Sequence, residues 1–458
     1  MLKKIQIILI LILILLSTKN VFAQKDTLTL MTYNVLYYGS GCQGNNNEYH
    51  KYLETIVKYA NPNILALVKS GAIKQTPDDQ FGTAPFGFAD SILENALNKA
   101  FPGRYAYCTF SNNAQTNNMC LLFYDKSKLS FQNIISSYIN ITDFNTYKLY
   151  YNDRFLAKTH DTTFLYITLN HDKSGDEYEE VRAKQIKGEM EGIKKHFKQL
   201  PNFINMGDFN VRSSMEPFYK MLTTDKDSLF QFFDPPFYPD KKLHYPADWD
   251  HNPSYSAYYT TSTRESATIP NSCGTGGGAK NWYDHIFLSS WIVNNKDYIR
   301  YIPNSYKTLG NDGNRFKISI NNNTMKPNKA APKEVIDAMY NMSNKYPVLI
   351  DLEFTSNSSG ISLPNPEIPY SSIAVKEEIK VEYVEIGELK FMFPDAFMGQ
   401  EISLECIDAK NEIVLKKVFT IKDTEKTMKF KYPIGLYTLK LKGKHNLFLE
   451  TNININIK

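Results

Sequence analysis

NFINMGDFNVRSS, residues 202–214, begins as an apolar strand from Phe203 to Met206 and breaks at Gly207-Asp208-Phe209-Asn210. Side chains alternate along an extended chain, so a carboxylate and a carboxamide two residues apart at a strand's C-terminal end point to the same side. In an α/β sandwich that edge is where ligands bind, and Asp208 and Asn210 are expected to face one site. The same residues would also satisfy a local Asx turn, in which Asp and Asn bond only their own loop backbone.

Four further blocks keep this one company: TLTLMTYNVLYYG at 27–39, NPNILALV at 61–68, LYITLNHDKSG at 165–175 with Arg182 and Gln185 downstream, and WYDHIFLSS at 282–290. In this order the blocks resemble the endonuclease/exonuclease/phosphatase superfamily, the metal-dependent phosphodiesterases related to deoxyribonuclease I. The resemblance covers roughly residues 26–354 and is carried by the set, not by any one block. It implies an α/β fold in four layers, two β-sheets packed face to face with helices outside, and magnesium-dependent phosphodiester hydrolysis. Fold does not settle chemistry, so each site position has to be read by itself.

Asn34 matches the family's strand-end Asn, which helps arrange the phosphate and metal site; otherwise it caps its own turn. Tyr49, Tyr52, Leu53, Ile56, Val57 and Ala60 are spaced for one buried helical face, and the strand Ile64 to Val68 follows. In active relatives this strand ends in a Glu that binds the divalent cation, and this chain has Lys69. Magnesium wants oxygen ligands and at least one firm carboxylate, which an ammonium cannot supply. Lys69 can instead stand where the cation would be and neutralise Asp208. The competing reading is a shifted register, with Asp78 or Glu94 supplying the acid.

His171, at the end of the strand Phe164 to Asn170, looks like the His that contacts the scissile phosphate; a lone strand-end His is otherwise structural. Tyr283-Asp284-His285 is not the family's terminal Asp-His pair, because it leads straight into Ile286 to Leu288 as the penultimate strand does. There the resemblance gives Asp284 the role of orienting the catalytic His. The terminal block, Ser-Asp-His then Pro then a strand, is matched by Met342 to Pro347 followed by Val348 to Phe354, and it holds Asn344 and Lys345 in place of Asp and His. A Lys near its reference pKa of about 10.4 is protonated and cannot serve as a base, and beside Asp284 it should stay charged. Asp208 and Asp284 against Lys69 and Lys345 sum to zero, so two ammonium groups are expected to pair with the two acids in place of a metal ion.

The functional expectation is an exported, catalytically degenerate family member with no cofactor, retained to bind a ligand in the cleft or through residues 224–281. That segment is rich in aromatics, Pro, Asp and Gly; a loop of this length without periodicity is either functional or disordered, and the plainer account is a loop clamped by its own aromatics. The alternative is a working secreted nuclease or phosphodiesterase that uses Asn34, His171, Asp208 and Asn210, with another acid helping to hold magnesium.

At 458 residues and 42% hydrophobic composition the chain can bury a large core, and its length suggests two or three domains. Residues 1–23 read as a secretory signal: Lys3 and Lys4, an apolar run from Ile5 to Leu16, and Val21-Phe22-Ala23 at the cleavage point. Its removal takes three lysines and no acid, so the formal charge falls from +4 to +1, too little for a global field drawing nucleic acid. Export permits disulfides among Cys42, Cys108, Cys120, Cys273 and Cys406; Cys108 and Cys120 flank a hairpin loop at 111–118, and independent buried thiols fit equally. Residues 355–372 form a Ser/Asn/Pro linker, and 373–458 read as short strands of a small β-sandwich. ISLECIDAKNEIVLKKVF, YPIGLYTLKLKG and NININIK are similar to the C-terminal sorting domains of proteins exported by the type IX secretion system of Bacteroidetes. That likeness implies the export machinery as a partner and a secreted or cell-surface location.

Overall fold

The computed structural model describes residues 25–39, 46–71, 87–109, 119–139, 142–152, 163–224, 226–267, 276–324, 326–355, 380–385, 388–393, 399, 401–408, 410, 412–429, 435–443 and 448–455. The leader at 1–23, Cys42, Asp78, the loop 111–118, Cys273 and residues 356–372 of the linker lie outside these.

Thirteen described strands build the main body. They are β1 (Lys25–Tyr38), β2 (Ile64–Ser70), β3 (Tyr105–Tyr107), β4 (Met119–Asp125), β5 (Leu129–Ile139), β6 (Thr142–Tyr151), β7 (Phe164–His171), β8 (Phe203–Asp208), β9 (Phe232–Phe233), β10 (Asp284–Ser289), β11 (Ile299–Tyr301), β12 (Lys307–Thr308) and β13 (Val348–Thr355). One sheet runs β11-β13-β1-β2-β4-β3, with β12 also on β13; the other runs β5-β6-β7-β8-β10-β9. The central pairs β1/β2 and β7/β8 are parallel, and the remaining pairings in both sheets are antiparallel.

The two sheets face each other through β1 and β2 on one side and β7, β8 and β10 on the other. Helices Asn46–Ala60 and Lys333–Met342 pack together outside the first sheet, and Glu179–His196 with Pro217–Thr223 outside the second. Strands covered on both faces read as continuous apolar runs, which is why Ile64 to Val68 and Phe203 to Met206 are wholly buried. The result is the four-layered α/β sandwich expected from the sequence.

Gly207 is where two strands come closest. Its φ is +149°, and a Cβ there would lie 2.0 Å from the Asn170 carbonyl oxygen on β7. Only glycine lets β8 approach β7 this closely one residue before Asp208.

The described parts of the segment from 224 to 281 pack around aromatic rings, some of them from the adjoining β10 region. Phe237, Trp249, Tyr259 and Trp282 are buried, with Phe237 stacked on Tyr245 at 4.3 Å between centroids and Trp282 stacked on His285 at the same separation. Glu94, weighed as a substitute metal acid, is exposed on a helix that runs Gly87–Ile92, Leu93–Leu97 and Asn98–Ala100 with a π-turn in its middle.

Beyond the linker stand two small antiparallel sheets. One is ordered β14-β15-β18 (Lys380–Glu385, Glu388–Met392, Glu425–Lys429), the other β17-β16-β19-β20 (Ile413–Thr420, Glu401–Ile407, Gly435–Gly443, Phe448–Ile455). Along β16 the alternation buries Ile402, Leu404 and Cys406 on one face, opposite exposed or half-buried neighbours. Cys108, Cys120 and Cys406 are thiols, so no bridge joins Cys108 to Cys120. Among the described residues no helix is long and apolar enough to cross a membrane.

Candidate functional site

Register delivers the first three groups. His171 on β7 pairs with Asp208 on β8, and Asp208 pairs with Asp284 on β10, so these three stand abreast at one edge of the second sheet. Asn34 comes from the facing sheet and donates its Nδ2–H to Asp208 Oδ2 at 2.7 Å. Its Oδ1 accepts from its own Leu36 N–H at 2.9 Å, so Asn34 caps its turn and reaches the site at once. Asn210 does likewise: its backbone N–H meets Asp208 Oδ1 at 3.2 Å, an Asx-type contact, and its Nδ2 ties the Asp172 carbonyl at 2.9 Å.

The terminal block closes the site. Ser343 donates its hydroxyl to the Asn34 carbonyl at 2.7 Å, which brings residues 343–345 against the end of β1. Lys345 Nζ then lies 2.8 Å from Asp208 Oδ2 and 3.6 Å from Asp284 Oδ2, with the Tyr283 ring 4.7 Å away. Asn344 accepts the Thr263 N–H on its carbonyl at 3.1 Å and borders the pocket.

Lys69 does not repeat this arrangement. It makes no ion pair with either aspartate; its Nζ sits 4.2 Å over the Tyr37 ring. The cause is local backbone. β2 loses register with β1 between Asn34 and Tyr38 and with β4 between Leu67 and Ser70, and Lys69 adopts φ 59° in that irregular stretch. A bulge of this kind re-aims one side chain, here toward Tyr37, itself at φ 63°.

His285 is not at the site. Its Nδ1 faces Asp234 Oδ2 at 3.0 Å and its Nε2 the Trp282 carbonyl at 3.3 Å, fully buried among rings. Alternation along β10 turns Asp284 toward Asp208 and Lys345 and His285 into the core.

The electrostatics follow from burial. Desolvation alone would raise Asp208, but Lys345, with help from His171 and Asn34, more than reverses it and holds the carboxyl below its usual range. Asp284 is more deeply buried and farther from Nζ; desolvation pushes it up to about 7, only partly offset by Lys345. Lys345 itself is raised, because the two carboxylates outweigh its own burial. Burial brings His171 down to about 4 despite Asp208, so its imidazole is neutral at pH 7. Burial brings Lys69 down to about 8.

Magnesium does not fit these residues. A cation bridging Asp208 and Asp284 would occupy the space that Lys345 Nζ fills, and Asp208 Oδ2 already accepts from both Nζ and Asn34 Nδ2. Among the described residues no three His, Cys, Asp or Glu side chains converge to hold a metal.

What remains is a pocket of ≈450 Å³, within the usual range for small-molecule sites. Arg212, Lys280, Asn281 and Tyr283 join its wall, and sequence reasoning missed them. Arg212 was in plain view two residues after Asn210, and its guanidinium is now seen braced by Asp176 and, at 3.6 Å, by Asp250. The wall carries Lys69, Arg212, Lys280 and Lys345 against Asp176 and Asp208, with Asp284 buried beneath. Such a lining suits an anion.

No protein-family model matches the sequence, and no curated protein matches it. Similar solved structures include D. rerio TDP2 complexed with single strand DNA product, 14% identical over 71% of this chain and 99% of that chain, with a TM-score of 0.42. The human Nocturnin catalytic domain with bound sulfate anion is 16% identical over 73% of this chain and 98% of that one, at 0.39. An endonuclease/exonuclease/phosphatase from Beutenbergia cavernae DSM 12333 is 9% identical over 94% and 100%, also at 0.39.

Proposed function

We propose that this chain is an exported, catalytically degenerate relative of the endonuclease/exonuclease/phosphatase superfamily, kept for metal-free binding of an anionic ligand in the pocket around Asp208. The observation that carries this reading is the Lys345 ammonium, 2.8 Å from Asp208 Oδ2 and 3.6 Å from Asp284 Oδ2. It supplies positive charge where hydrolysis would need a Lewis acid, but it neither polarises a phosphoryl oxygen as a divalent cation does nor lowers the pKa of a bound water to neutrality. The general base is missing as well. Lys345 stands at the terminal His position and is held protonated by its two carboxylates. His171 is neutral and can only donate or accept one hydrogen bond to a ligand.

The surplus of basic side chains on the wall favours a phosphate-like or carboxylate group, with His171, Asn210 and Asn281 as neutral partners. Export is supported by the leader at 1–23, and surface retention by the sorting-like strands of 373–458, which would engage the secretion machinery.

Titration calorimetry of the mature chain in EDTA tests the binding reading, with inorganic phosphate and a short oligonucleotide as probes. Saturable binding that EDTA leaves unchanged is expected. Binding of neither probe, or binding only when magnesium is added, would overturn it.

A further inference from the structure

Lys69 adds charge to the pocket wall, but no acid among the described residues braces it as acids brace Arg212 and Lys345. Arg212 is braced by Asp176, and Lys345 by Asp208 and Asp284. Lys69 has no carboxylate within ion-pairing distance among the described residues, and its Nζ rests on the face of Tyr37 at 4.2 Å. It is held there at some expense. Its φ of 59° is left-handed, a conformation that L side chains rarely adopt, and strain of this kind concentrates at functional positions. The groups that face it in the pocket are Tyr37, His171, Asp208 and Lys345. Burial works against the charged form of Lys69 and outweighs Asp208, which opposes it, and a desolvated lysine is the more nucleophilic amine.

We infer that Lys69 is a reactive amine that forms an imine with a small carbonyl compound bearing an anionic group. This goes beyond metal-free binding and stands on the placement of Lys69 itself. The anionic group is drawn to the same basic wall, which includes Lys280. The unprotonated Nζ gives its lone pair to the carbonyl carbon, and the C=O π pair moves to oxygen. The proton shed by nitrogen passes to that oxygen, giving a carbinolamine. The hydroxyl then leaves with a second proton as water, and C=N remains. One amine and one carbonyl give one imine and one water, and nothing is oxidised or reduced. Burial, which brings Lys69 down to about 8, supports this by leaving an appreciable unprotonated fraction at neutral pH.

The test uses the mature full chain and pyridoxal 5′-phosphate below one equivalent, trapped with borohydride and mapped by peptide mass spectrometry. Exposed Lys187 is the internal standard. At pH 8 labelling of Lys69 should exceed that of Lys187 by on the order of tenfold or more, and its half-rise should fall near pH 8 and not near the ordinary lysine value of about 10.4. Lys69→Arg should abolish the imine absorbance formed at one equivalent. Lys69 reacting no faster than Lys187, or an undiminished imine signal in Lys69→Arg, would overturn the inference. The comparison within the wild-type chain decides the matter even if the variant fails to fold. Anion binding in EDTA would survive either result.

Discussion

Lys345 Nζ lies 2.8 Å from Asp208 Oδ2 and reaches Asp284 Oδ2 at 3.6 Å, so one buried ammonium serves two buried carboxylates. Removing one member of a buried ionic group costs more than the group contributes in place, because the remaining charge is left desolvated. Lys345→Met should therefore destabilise the protein by about 3–5 kcal/mol at neutral pH. Lys69→Met removes only a cation–π contact and should change stability by about 1 kcal/mol or less. Denaturant unfolding of the two variants at pH 7.5 checks the contrast. Equal losses would mean that the charge balance of the site is shared differently.

Asp284 sets a pH dependence of definite sign. Its folded value, about 7, lies above the ordinary unfolded value of about 3.9, so its contribution is fully present below about pH 4 and is lost as pH rises through 7. Asp208 runs the other way, present above its unfolded value and lost as pH falls through its depressed folded one. His171, folded at about 4, also loses stability on acidification below its unfolded value. Asp284→Asn isolates the first effect. Its melting temperature relative to wild type should rise between pH 5 and pH 8; a constant difference would refute the buried, elevated carboxyl.

The two histidines should separate structure from binding. His285 joins Asp234 in a fully buried hydrogen bond of 3.0 Å beneath Trp282, and His285→Ala leaves that carboxylate short of a partner beside a new cavity. A loss of about 2–4 kcal/mol follows. His171→Ala at the pocket wall should leave stability within about 1 kcal/mol and weaken anion binding. Thermal melts and phosphate titrations on both variants read the split, and a reversal would move the functional histidine.

Much of the fold was legible because apolar strands and their breaks are local signals. Phe203 to Met206 ends at Gly207-Asp208 as its residue pattern implied, and the end of β10 carries Asp284 beside Asp208. The direction of Lys69 was not legible. It depends on a double register break and on a left-handed φ that no lysine advertises, so its expected pairing with an aspartate gives way to Tyr37. Lys280 and Asn281 were hidden for another reason. They come from the irregular segment before β10, whose path is fixed by ring packing among Phe237, Trp249 and Trp282 and not by periodicity.

Lys345 Nζ stands between Asp208 and Asp284, where the proposed function needs positive charge without a metal ion. The most direct test is a thermal shift and turnover measurement on the mature protein with magnesium or manganese against DNA, RNA and a chromogenic phosphodiester, beside the variant carrying Lys69→Glu, Asn344→Asp and Lys345→His. No metal-induced stabilisation and no cleavage above the protein-free blank are expected for the natural chain, with metal affinity appearing in the triple variant. Metal-dependent cleavage by the natural chain that Asp208→Asn abolishes would contradict the proposed function.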